Sequence, residues 1–102
     1  MSKPRYFWYG GVRSSIQHYG ELSTAGKEGQ EYKTAIDKAF KDIEEKPEAA
    51  AIKYAIEAVL IKQTHTIEGA AMVTYYSRRT VQRWINDFIY RVGRYKGYKT
   101  GR

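Results

Sequence analysis

The side chains best suited to recognition chemistry in this 102-residue chain lie in one short run, Ser77-Arg78-Arg79-Thr80-Val81-Gln82-Arg83-Trp84-Ile85-Asn86. An arginine presents two donors that match the edge of a guanine, and glutamine or asparagine can bond adenine in the same two-pronged way. On a helical repeat, Arg79, Gln82, Arg83 and Asn86 fall opposite Val81, Trp84, Ile85 and Phe88, so one face is basic and the other apolar. That arrangement predicts base readout in double-stranded DNA by Arg79, Gln82, Arg83 and Asn86. Ser77, Arg78 and Thr80, at the positive start of the helix, suit phosphate instead. Arg91, Arg94 and Lys96 alternate with Tyr90 and Tyr95. They either extend the phosphate surface or belong to a solvated basic tail.

Charge placement sharpens this expectation. Residues 1–77 carry ten basic and ten acidic side chains, whereas residues 78–102 carry eight basic ones against Asp87 alone. The whole net charge of +7 therefore sits in the last quarter of the chain. Such asymmetry speaks about partners rather than about fold.

Catalytic chemistry finds little footing. The two histidines, His18 and His65, stand far apart, there is no cysteine, and no HExxH-like spacing marks a metal site. Glu44, Glu45 and Glu48 read as a solvated helix end rather than an acid/base pair. Gly10-Gly11 and Gly26/Gly29 lack the lysine and the strand-to-helix setting of a phosphate loop. The expectation is a protein that is not an enzyme and needs no metal or cofactor. No run of 18 apolar residues occurs, and the N-terminus lacks the apolar stretch of a signal peptide. This predicts no membrane contact and a cytoplasmic, nucleoid-associated location.

The elements that must carry the basic run are helices. A first helix is expected from Pro4 to Tyr19, with Trp8, Val12, Ile16 and Tyr19 on one side and a bend at Gly10-Gly11. Residues 20–26 read as a loop. A second helix, from Gly29 to Glu45, has an apolar stripe of Tyr32, Ile36, Ala39, Phe40 and Ile43. Pro47 separates it from a third, Glu48 to Gln63, with Ile52, Ala55, Ile56, Val59 and Leu60 facing one way. Thr66 then caps a short helix whose first turn holds Glu68, and Ser77 caps a longer one that ends near Gly93 or Gly97. The fold class is all-α, a small helical bundle. Residues 1–62 form a helical scaffold, and residues 63–102 form a basic C-terminal module within the same compact domain.

A short helix, a tight turn and a longer helix is the helix-turn-helix pattern, although an unrelated helical hairpin has the same outline. Ala71 supplies the small residue needed where the two helices cross, and Val81 and Trp84 fall at the buried positions. Tyr75 occupies the turn position where glycine is commonest.

The runs Thr64 to Ala71 and Ser77 to Ile89 resemble the RinA/ArpU-like regulators of Gram-positive phages and prophages. The opening Tyr6-Phe7-Trp8-Tyr9 and the Tyr19 to Leu22 segment are similar to the same group. The resemblance implies a small helical transcriptional regulator with a helix-turn-helix like region 4 of sigma factors. It further implies binding at promoters of late phage genes and contact with host RNA polymerase. A homodimer is compatible with that role. Two other readings stay open: a DNA-packaging adaptor like a small terminase subunit, and a phage protein-interaction module that binds no DNA.

Overall fold

Apolar side chains at three- and four-residue spacing give each helix one side to bury, and the computed structural model joins those sides in a single core. It describes residues 7–24 and 26–98. Five α-helices follow in order: α1 (Tyr9–Gln17), α2 (Gly26–Ile43), α3 (Ala49–Ile56), α4 (Ile67–Thr74) and α5 (Arg78–Lys96). No strand occurs among the described residues. The protein is all-α.

The first helix starts later than its periodicity suggests. It opens at Tyr9, so Gly10 and Gly11 lie exposed in its first turn, while Val12 and Ile16 are fully buried. The expected start at Pro4 lies outside the described residues. The stretch read as a loop is largely a 3₁₀ helix, Tyr19–Thr24, and α2 begins at Gly26 rather than Gly29. Gly26 has a φ of +85°, a left-handed conformation that a side chain would disfavour.

Helix α3 continues into a π-helical turn, Glu57–Ile61, whose wider hydrogen bond runs from Lys62 N–H to Glu57 C=O at 2.7 Å. The wider turn lets three consecutive residues, Ala58, Val59 and Leu60, stay buried. Gln63, at φ 55°, then turns the chain toward α4.

Both caps read from the sequence are in place. Thr66 Oγ1 accepts from Gly69 N–H at 3.0 Å, and Ser77 Oγ accepts from Thr80 N–H at 3.1 Å. Between them, Tyr75 takes the left-handed conformation at φ 64°, and Tyr76 N–H returns to Ala71 C=O at 3.2 Å. Residues 75–77 thus form a three-residue turn between α4 and α5. Helix α5 ends at Gly97, whose φ of +105° again calls for glycine.

Helix α5 is the axis of the core and packs against each of the other four. Its Val81, Ile85, Phe88, Ile89 and Val92 are buried, each worth roughly 1.5–3 kcal/mol relative to exposure. Phe40 of α2 tilts onto Phe88 at 4.8 Å between ring centroids. Trp84 departs from the expected core position: it is half-buried at the rim, edge-on to Tyr76 at 4.8 Å. The far end of α5 is closed by Trp8, which stacks on Tyr98 at 5.6 Å and covers Gly93. The core includes residues from both the 1–62 and the 63–102 portions.

Candidate nucleic-acid interface

Helix α5 presents two chemically different halves: apolar residues are buried along both, but the basic side chains of the two halves meet different surroundings. At the N-terminal half, Arg79 and Arg83 are exposed and Gln82 is half-exposed between them. Among the described residues, no carboxylate forms an ion pair with Arg79 or Arg83, and Asp87 one turn beyond Arg83 does not reach it. These three side chains share one open face, as the helical spacing requires.

The start of the helix is ordered by its cap. Ser77 Oγ, besides accepting from Thr80 N–H, donates to Thr80 Oγ1 at 2.9 Å, so both hydroxyls are ordered at the positive end. Arg78 is 64% exposed and meets Glu68 of α4 at 3.7 Å. A contact this open to solvent holds Arg78 weakly, worth about 0–1 kcal/mol.

Farther along α5, three expected site residues are held by other helices: Asn86, Arg91 and Lys96. Asn86 is half-buried, and its Oδ1 accepts from the Tyr9 hydroxyl at 2.6 Å. Helix α1 therefore shares the flank on which Asn86 lies, and readout by this amide loses its carbonyl partner. Burial pushes the Tyr9 hydroxyl pKa up, opposed by the Arg13 guanidinium beside it. Arg91 turns to α2 and pairs with Asp42 at 3.3 Å, where the Tyr95 hydroxyl also donates to Asp42. The Tyr95 bond, followed by Arg91, holds the Asp42 carboxyl below its ordinary pKa.

Lys96 is the clearest correction. Its side chain is only 12% exposed, pairs with Glu31 at 3.3 Å and Glu28 at 4.0 Å, and lies over the Tyr32 ring at 4.8 Å. The Tyr32 hydroxyl meets that of Tyr98 at 3.2 Å, and burial pushes its pKa up to about 12. Lys96 is thus paired against α2, apart from the exposed arginines at the start of α5. Arg94 stays exposed near the Asp42 pair. Lys99 and Arg102 lie outside the described residues.

The structure therefore brings together Ser77, Arg78, Arg79, Thr80, Gln82 and Arg83 at one end of α5, and separates Arg91 and Lys96 from them. It also adds a residue that the sequence pattern missed. Arg13 of α1 lines the same cleft as Arg78 and Glu68. Its charge was hidden in the neutral first three quarters of the chain, and only the packing of α1 beside α5 reveals it. Among the described residues no cluster of His, Cys, Asp or Glu could hold a metal ion, and no helix is long and apolar enough to cross a membrane. In comparisons with protein-family models, curated proteins and solved structures, nothing matches this chain.

Proposed function

We propose that α4 and α5 work as a helix-turn-helix, with the N-terminal half of α5 entering the major groove of double-stranded DNA. Arg79, Gln82 and Arg83 read bases, while Ser77, Arg78 and Thr80 hold the backbone. The observation that carries the reading is the division of charge along α5. Among the described residues, acids of α2 pair with Arg91 and Lys96 at its far end, where Arg94 alone stays exposed without an ion pair; at its near end Arg79 and Arg83 have no acidic partner and Arg78 meets Glu68 only loosely. Unpaired arginines around an amide on a capped helix start match an anionic, edge-presenting partner better than a neutral surface.

The sequence-level resemblance extends the proposal to a transcriptional regulator of phage or prophage genes. On that reading it acts at promoters in the bacterial cytoplasm, with host RNA polymerase as a second partner and a dimer as an admissible assembly.

The test is selection of bound duplexes from a random pool, followed by fluorescence anisotropy of the selected site across a salt series. With about five phosphates contacted, the log–log slope is near −4.5. Gln82→Ala and Arg83→Ala each cost about 1–3 kcal/mol at particular base pairs and relax preference there. A flat salt dependence would count against DNA binding altogether. Equal weakening on selected and random duplexes would reassign Gln82 and Arg83 to the backbone.

A further inference from the structure

Arg13 and Arg78 come from distant parts of the chain, yet both line one cleft of about 410 Å³ between α1 and the start of α4. Thr66, His65 and Glu68, with the apolar Val59 and Ile67, complete the walls. The Arg13 guanidinium sits beside the Tyr9 hydroxyl, which donates to Asn86 of α5. Helix α1 thus runs against α5: Trp8 covers Gly93, Tyr9 reaches Asn86, and Arg13 stands near Arg78.

Two guanidiniums around one opening repel each other unless an anion lies between them. Among the described residues Arg13 has no carboxylate partner. The acid that reaches Arg78, Glu68, does so at 3.7 Å from a side chain 75% exposed, a contact that water screens. His65 serves as wall rather than donor, because its ring nitrogens face the Tyr54 hydroxyl at 3.4 Å and Thr64 Oγ1 at 3.0 Å. Thr66 Oγ1, on the cleft wall, is occupied by the Gly69 N–H at 3.0 Å, so the two guanidiniums are the donors the cleft offers an anion.

We propose that this cleft takes one phosphate of the DNA backbone between Arg13 and Arg78, which makes α1 part of the docking surface. The proposal rests on the DNA reading of α5 and enlarges its footprint by one element. Guanidinium forks suit phosphate oxygens, and Glu68 is the internal anion that the phosphate displaces from Arg78.

The experiment measures the anisotropy of a labelled random-sequence duplex of about 30 base pairs across a salt series, because backbone contacts need no cognate site. Arg13→Ala weakens binding roughly tenfold at low salt and reduces the steepness of the salt slope by about 0.9. Arg13→Lys keeps the charge and restores the slope. Glu68→Gln removes the competing carboxylate and tightens binding. A folded Arg13→Ala variant with unchanged affinity and slope overturns the cleft while leaving the α5 reading intact. Wild-type protein without salt-dependent affinity for any duplex overturns both. Should Arg13→Ala fail to fold, Arg13→Gln takes its place: a salt slope less steep by about 0.9 supports the cleft, and an unchanged slope refutes it.

Discussion

Gly93→Ala should destabilise the protein even though alanine is the better helix former. A Cβ built at Gly93 lies 2.4 Å from Trp8 Cζ3, 2.7 Å from Cη2 and 3.0 Å from Cε3. Carbon atoms rest at about 3.5–4.0 Å, so the indole must retreat by roughly 1 Å from the helix. Trp8 is 5% exposed and is held between Gly93, Tyr90 and Tyr98. Overpacking of this kind costs about 1–3 kcal/mol if the ring shifts within its site. If the ring leaves altogether, the loss approaches about 4–6 kcal/mol, from 150–250 Å² at 25 cal/mol per Å². Against this stands a gain of about 1 kcal/mol in helix propensity. The net expectation is a loss between zero and about 2 kcal/mol if the ring shifts within its site, and about 3–5 kcal/mol if it leaves.

The controls are internal. Gly10→Ala and Gly11→Ala meet nothing within 4 Å and lie in the first turn of α1, so each should stabilise by roughly 0.5–1 kcal/mol. Thermal and urea unfolding followed by circular dichroism measure all three, with each kcal/mol shifting the melting temperature by about 4–8 °C in a domain of this size. A Gly93→Ala protein stabilised as much as the Gly10→Ala and Gly11→Ala controls would refute the seating of Trp8 on α5.

Three further outcomes follow from the caps, the turn and one ion pair. Thr66→Ala and Ser77→Ala should each cost about 1 kcal/mol in urea titration, because each leaves a first-turn amide without its acceptor; a neutral effect at both would contradict the cap geometry. Tyr75, left-handed and 95% exposed, should tolerate glycine with a change between zero and about 1 kcal/mol of stabilisation, whereas valine there should destabilise. Loss of stability on Tyr75→Gly would show that its ring is held in the folded state. The Asp42 carboxyl has a lowered pKa in the folded state, so its contribution is present above the unfolded carboxylate pKa near 4 and is lost as pH falls through the folded value. Tyr95→Phe should flatten this acid limb of the stability profile, and an unchanged limb would remove Tyr95 from the pair.

What the sequence discloses here depends on the range of the interaction involved. Thr66 and Ser77 could be assigned as caps because a cap acts within three residues. Tyr75 could be placed at the turn although it is not glycine, since the spacing between the two capped helices fixes where the chain must reverse. The apolar stripe of α5 was equally visible, but a stripe does not tell which end its neighbours cover. Trp84 therefore fell at the rim, while Gly93 became a contact for an indole from the other end of the chain. Asn86 and Lys96 looked available because their partners, Tyr9 on α1 and Glu28 and Glu31 on α2, are adjacent only in the folded chain. Arg13 was overlooked for the converse reason. The π-helical turn left no trace, since apolar spacing through residues 55–60 fits an ordinary helix as well. Residues 20–26 read as a loop in sequence, although Tyr19–Thr24 is a 3₁₀ helix, because glycine and serine mark both alike.

Helix α5 is unbroken from the Ser77 cap to Gly97, with Phe88 and Ile89 locked in the core midway along it. The backbone beneath Arg79, Gln82 and Arg83 thus inherits the rigidity of the interior. Docking then has only side-chain rotamers to order, at about 0.5–1.5 kcal/mol for each long side chain. On the proposed reading, the line of the backbone that carries these three side chains is set before any encounter. To re-aim them, the molecule would have to drag its own hydrophobic centre along.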